Sequence, residues 1–240
     1  MNDHFIIEPM TENFIVWRCL HGGTLDSANI NQPKPNAQLD WNYIKTRNVL
    51  LLKKIISTYG TCAILARDGN SIIGTLRFYP KVLCNFTDEG LGLCLQQVYP
   101  AGPSLQFAEQ EFSPVSELSD KTLFVHCLFI VAPDNDPDCY RRKGLATRMV
   151  RELIQWCIKN KWDAIEANAY EEIPYLYAIS GVTGRSFWEK LGFRVIQKDT
   201  EPGMNGEILK IILNSAVKAG IPIEDIKNRY RMRLELLNLG

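Results

Sequence analysis

Val131-Ala132-Pro133 closes an almost wholly apolar run that begins at Thr122, and Tyr140-Arg141-Arg142-Lys143-Gly144-Leu145-Ala146-Thr147 opens the most regular amphipathic pattern in the chain. The run over residues 122–131 reads as a strand buried on both faces. Residues 144–160 place Leu145, Met149, Val150, Leu153, Ile154, Cys157 and Ile158 at helical 3-4 spacing, which predicts a long helix with one apolar face. A helix N-terminus carries unpaired backbone N–H groups and the positive end of the dipole, so this turn suits a pyrophosphate. Gly144 and Ala146 let phosphates approach the backbone, and Arg141, Arg142 and Lys143 add positive charge there.

Outward from this stretch the pattern alternates. Phe5, Ile6 and Ile7 read as a first strand. Trp41, Ile44, Val49, Leu52, Ile55 and Ile56 recur at helical spacing over residues 40–59, with Asp40 as N-cap. Residues 61–66 and 71–79 flank Arg67-Asp68-Gly69-Asn70 as a hairpin. Residues 84–120 hold scattered Gly and Pro without a period and read as an insertion. A strand is expected over 162–169, then a short helix over 184–191 stopped by Gly192. A hairpin is expected of 193–196 with 207–213 around Pro202-Gly203, then a terminal helix over 223–237. On that helix Arg229, Arg231 and Arg233 spread around a solvated surface. The order implies a mixed α/β sheet flanked by helices.

Arg141, Gly144 and Ala146 in the spacing Arg-x-x-Gly-x-Ala resemble the acyl-CoA pyrophosphate motif of the GNAT N-acetyltransferase superfamily. Ser186-Phe187-Trp188-Glu189-Lys190-Leu191-Gly192-Phe193-Arg194-Val195 is similar to that family's Phe-Tyr-Glu-Lys-Leu-Gly-Phe segment. The resemblance covers residues 122–213 well and 61–79 loosely. It implies an α/β (α+β) fold: a mixed, mostly antiparallel central sheet flanked by helices, with a splayed parallel strand pair forming a CoA cleft. It also implies transfer of an acetyl group from acetyl-CoA to a primary amine of a small molecule or protein, by direct attack in a ternary complex.

On this resemblance the backbone of Phe129 and Val131 holds the pantetheine arm. The turn of Arg141, Arg142, Lys143, Gly144, Leu145, Ala146 and Thr147 holds the pyrophosphate, and Trp188 is counted among the cofactor-binding positions. The amine needs a base. Glu166 and His126 are the catalytic candidates, although Glu166 equally suits an exposed strand position and His126 a hydrogen-bonded core site. Trp188 stands where many relatives carry a tyrosine general acid, and Gly181 where an asparagine is common. Tyr170, Tyr175 and Tyr177 are the candidate substitutes, and nothing in the sequence orients them. These departures keep a second reading open, a non-catalytic acyl-CoA-binding or sensing module of the same fold.

The whole-chain figures agree. The 240 residues carry 27 basic and 27 acidic side chains, and the balance favours neither nucleic acid nor a membrane surface as partner. A single domain over 1–240 is expected, with the insertion at about 84–120 and a helical extension at about 215–240. Those segments are expected to shape the acceptor pocket or a subunit contact such as a homodimer. Seven cysteines without a Cys-x-x-Cys, and Cys19-Leu20-His21 without a second ligand pair, predict no metal. The N-terminus lacks the pattern of a signal peptide, so a cytoplasmic location is expected.

Overall fold

The computed structural model describes residues 4–18, 20, 23–32, 41–84, 112–131, 139–140, 142–179, 183–201 and 206–237. Eight strands form one sheet: β1 (Ile6–Pro9), β2 (Ala63–Asp68), β3 (Ser71–Pro80), β4 (Thr122–Ile130), β5 (Ala164–Tyr170), β6 (Thr183–Gly184), β7 (Arg194–Thr200) and β8 (Asn228–Glu235). The order is β1-β2-β3-β4-β5-β8-β7, with β6 pairing with β5 off this path. Pairing is antiparallel except between β4 and β5 and at the two-residue β5–β6 contact. This is the mixed, mostly antiparallel architecture that the two motifs imply.

The helices are α1 (Trp41–Tyr59), α2 (Lys81–Cys84), α3 (Leu145–Lys159), α4 (Pro174–Ile179), α5 (Arg185–Glu189) and α6 (Gly206–Lys218). Leu145, Met149, Val150, Leu153 and Cys157 of α3 are buried against one face of the sheet, where Trp156 meets Phe78 at 5.6 Å between ring centroids. Contact is close enough that a Cβ on Gly74 would lie 2.7 Å from Ile130 and 3.3 Å from the Met149 sulfur. On the other face Arg77 donates to the carbonyls of Val16 (2.8 Å) and Arg18 (2.6 Å), and Asn48 of α1 donates to the carbonyl of Trp17. A smaller cluster of Tyr170, Ile173, Leu176, Ile212, Ala216 and Ile226 joins β5, α4 and α6.

Two expectations fail toward the C-terminus. Residues 207–213 lie in α6 and pair with no strand, so β7 finds its antiparallel neighbour in β8 instead. The expected terminal helix, and with it the helical extension, is also replaced. After α6 comes β8, whose burial alternates residue by residue, with Asn228, Tyr230, Met232 and Leu234 inward. That is a strand period, and it is realised because β8 lies between β5 and β7, where both edges of its backbone are satisfied. Of the insertion, residues 85–111 lie outside the described residues; Phe112 stacks on Tyr59 at 6.2 Å.

Candidate functional site

The parallel β4–β5 pair is zipped for four residues, from Thr122↔Ala164 to Val125↔Ala167, and then opens. The opening coincides with a register shift against β3. Arg77 faces Cys127 and Phe78 faces Val125, so His126 is the additional residue on β4. Such a bulge bends its strand, and beyond it β4 remains bound to β3 while β5 follows β8.

Backbone alternation decides which groups face the gap. The Val131 N–H donates to the Ile73 carbonyl at 2.8 Å, and the Phe78 N–H donates across β3's other edge to Cys62 at 3.1 Å. In an antiparallel ladder hydrogen-bonded pairs alternate with non-bonded ones. Phe129 and Val131 therefore spend their polar groups on β3, and those of Leu128 and Ile130 face the opening. The expected pair is thus displaced by one residue, because strand parity is set by the β3 register. On the opposite side the Leu236 N–H donates to Asp163 at 2.9 Å, which by the same alternation turns the Asn168 peptide groups to the edge of β5 where β6 pairs.

α3 connects β4 to β5, so its N-terminus lies at the end of the strands where they part. Gly144 is its N-cap, with φ 72° and no side-chain cap. Arg142 is also left-handed, at φ 57°. The N–H groups of Leu145, Ala146 and Thr147 belong to the first turn, which has no intrahelical acceptors. The Leu145 side chain is buried, Ala146 and Thr147 are half-buried, and Arg142, Lys143 and Gly144 are exposed. Arg141 lies outside the described residues. The turn is anchored to the first strands. Tyr140 donates to Asp68 (3.2 Å), Arg148 donates to the Phe5 carbonyl (2.9 Å), and the Lys143 ammonium sits 5.6 Å from the Phe5 ring centre.

At the closed apex of the gap, on the sheet face opposite α3, lies a charged group. Glu166 is 1% exposed, and its Oε1 accepts from Lys81 and from Arg233, each at 2.8 Å. Arg233 also bonds Glu235 at 2.5 Å and Thr122 at 3.2 Å; the Glu235 hydrogen bond is the main cause holding its guanidinium above the usual range. The Arg231 guanidinium is 3.8 Å from Glu166 Oε2 and 4.5 Å above the Phe124 ring. Glu166 is therefore a buried counter-ion rather than an exposed strand residue. His126 is half-buried on the bulge, its ring 5.9 Å from that of Tyr79.

The downstream motif is structural. Trp188 is 2% exposed between Phe187 (5.3 Å) and Phe193 (4.9 Å), and Gly192 turns the chain into β7 at φ 89°. Tyr170 donates to Glu201 at 2.6 Å, and burial is the largest cause raising its hydroxyl pKa. Tyr175 is half-buried on α4; Gly181 and the Tyr177 side chain lie outside the described residues. Sequence reasoning missed Lys81 and Arg231. The signal for Arg231 was Arg229-x-Arg231-x-Arg233, which on a strand aligns three cations on one face. Among the described residues no cluster of His, Cys, Asp or Glu fits a metal ion, and no helix is long and apolar enough to cross a membrane.

No protein-family model and no curated protein matches the chain. Solved structures align with it over almost the full length at low identity. yncA from Salmonella typhimurium, solved with acetyl-CoA, is 10% identical at a TM-score of 0.47, covering 98% of this chain and 95% of that one. Ard1 from Thermoplasma volcanium is 9% identical at 0.45, covering 98% and 99%. A GNAT family acetyltransferase from Elizabethkingia anophelis with acetyl-CoA bound is 12% identical at 0.41, covering 98% and 100%.

Proposed function

We propose that the chain is an N-acetyltransferase that moves an acetyl group from acetyl-CoA to a primary amine while both substrates are bound. The observation that carries this reading is the coincidence, at one end of the sheet, of an unzipped parallel strand pair and an uncapped helix N-terminus. Free strand edges suit a ligand with repeated amides, which pairs with them as an added strand. Free first-turn amides suit a pyrophosphate. A pantetheine arm and a diphosphate occur together in coenzyme A, and the thioester it carries supplies the activated acyl group.

Leu128 and Ile130 hold the amide-bearing arm through their backbone groups. The amides of Leu145, Ala146 and Thr147 hold the phosphates, with Arg142 and Lys143 adding charge. Space at the turn is open: a Cβ on Gly144 would meet nothing within 4 Å. The N–H groups along the β4 edge are the donors available to a developing oxyanion. Of the two base candidates, Glu166 is committed to its cations, and His126 stands at the apex of the gap to take the ammonium proton at a ring nitrogen. Trp188 has no acidic proton, and the Tyr170 hydroxyl is engaged by Glu201, so neither of these two serves as the acid for the leaving thiolate. The same two features favour the rival reading of a non-catalytic acyl-CoA sensor.

Calorimetric titration with acetyl-CoA, followed by detection of free CoA thiol against a panel of amines, tests both readings. Binding with thiol release is expected; binding with no release from any amine would leave the sensor, and absence of binding would overturn both. Gly144→Glu is expected to weaken acetyl-CoA binding by at least about 100-fold, since it sets a carboxylate at the phosphate turn and a side chain at a left-handed φ. Unchanged affinity would mean the phosphates bind elsewhere.

A further inference from the structure

Three arginines line one face of β8, and they are not equivalent. Arg229 donates to Glu201 at 3.4 Å, and Arg233 donates to Glu166 at 2.8 Å and to Thr122. The Arg231 side chain, between them, makes no hydrogen bond among the described residues. Among the described residues its one carboxylate neighbour is Glu166 Oε2 at 3.8 Å, beyond hydrogen-bond reach, and Glu166 Oε1 is already shared by Lys81 and Arg233. The Arg231 side chain is 22% exposed, so its five N–H donors are only partly hydrated and make no hydrogen bond to a described residue. A half-buried cation in that state favours an incoming anion.

Its position matters as much as its freedom. Arg231 starts on β8, crosses β5, and rests its guanidinium on Phe124 of β4. Phe124 pairs with Glu166 one step before the last zipped pair, and His126 follows two residues later. The guanidinium thus lies beside the apex where the strands part, on the face opposite α3. Contact with the ring at 4.5 Å holds the guanidinium in place, and its N–H fork suits a planar, two-pronged acceptor, the geometry that a carboxylate matches.

We propose that Arg231 binds a carboxylate of the acceptor, so that the amine substrate is a small amino acid-type molecule with amine and carboxylate on the same or adjacent carbons. The dimensions agree. In an α-amino acid, nitrogen and carboxyl carbon are separated by two bonds, about 2.5 Å. A charge-assisted hydrogen bond of about 2.8 Å follows. The amine then lies roughly 5 to 6 Å from the guanidinium, about the spacing of neighbouring strands, which is the step from the apex to the open gap. A long diamine or a lysine side chain brings a second cation or a bulky chain to a place already holding Lys81, Arg231 and Arg233.

This inference rests on the acetyltransferase reading, and its test separates the two. Wild-type protein with saturating acetyl-CoA is presented with the common α-amino acids, their carboxamides, and the matching amines without the carboxylate, and CoA thiol is measured. Turnover of at least one free acid, at least about tenfold faster in kcat/KM than its carboxamide, is expected. Equal or better use of carboxamides or plain amines, or turnover of no acid, overturns the inference; in each of these cases retained acetyl-CoA binding leaves the proposed cofactor site standing. Arg231→Met keeps an apolar stem on Phe124 and removes the charge. It is expected to raise KM for the acid about 10- to 100-fold while acetyl-CoA affinity stays within twofold. Arg231→Lys should recover part of the loss. If Arg231→Met lowers the melting temperature and kcat but leaves KM alone, the residue only packs, and the assignment fails.

Discussion

The two halves of the β4–β5 pair, built from adjacent residues of the same strands, do opposite things. From Thr122 to Val125 the backbones are zipped, and the side chains above them are held by the Glu166 ion pairs. From His126 onward the strands part, and peptide groups face the gap. Composition does not separate the halves, since both are largely apolar. One additional residue in the register with β3 does. Rigidity in the zipped half and openness in the splayed half are consequences of a single bulge, and the charged group marks the boundary.

The largest expected effect comes from breaking the zipped half. Glu166→Ala leaves Lys81 and Arg233 without their shared buried carboxylate and should destabilise the fold by about 3 kcal/mol. That corresponds to a melting temperature lower by roughly 6 to 12 °C for a domain of this size. An unchanged melting curve with lost activity would instead make Glu166 a base and not a clamp.

Gly74→Ala presses on the splayed half. The new methyl would lie 2.7 Å from the Ile130 Cδ1 and 3.1 Å from the Ala66 methyl, so the end of the Ile130 side chain must give beside the strand that lines the gap. About 1 to 3 kcal/mol of overpacking is expected, together with weaker acetyl-CoA binding by calorimetry. If stability falls and affinity does not, the β4 edge is not part of the ligand site.

A third effect, spread over several pH units, acts on the shared core and should not distinguish the halves. Burial pushes the Cys62 thiol up from 9.0 to about 12 and raises that of Cys157 as well. The native state then keeps protons that the unfolded chain releases, so stability is full below about pH 9 and falls as pH rises from there toward 12. Each thiol contributes about 1 kcal/mol per pH unit over that interval. Urea unfolding between pH 8 and 10.5 measures it; stability that is flat or rising would contradict the burial of these side chains.

Legibility in the sequence followed the range of the interactions. The turn at Gly144 and helix α3 are readable because a helix writes its period into neighbouring residues and its N-terminus into a glycine. The parallel pair is readable because its connection is that helix. The last strand carries an equally local mark, apolar Tyr230, Met232 and Leu234 between Arg229, Arg231 and Arg233, and a helical reading of residues 223–237 overlooks it. Trp188 and Phe193 bracket the Leu191-Gly192 turn as an aromatic cluster, as a glycine-stopped core helix would.

By itself the sequence determined a strand, a basic glycine turn and an amphipathic helix in succession, and hence a helix N-terminus at a known place. Only the tertiary structure decided which peptide groups face the gap, since parity along β4 depends on its register with β3. Only the tertiary structure set Arg231 over Phe124, because β8 reaches β5 after more than fifty intervening residues. Local periods depend on neighbours in the chain; strand register and cross-strand charge pairing depend on residues that meet only once the sheet has closed.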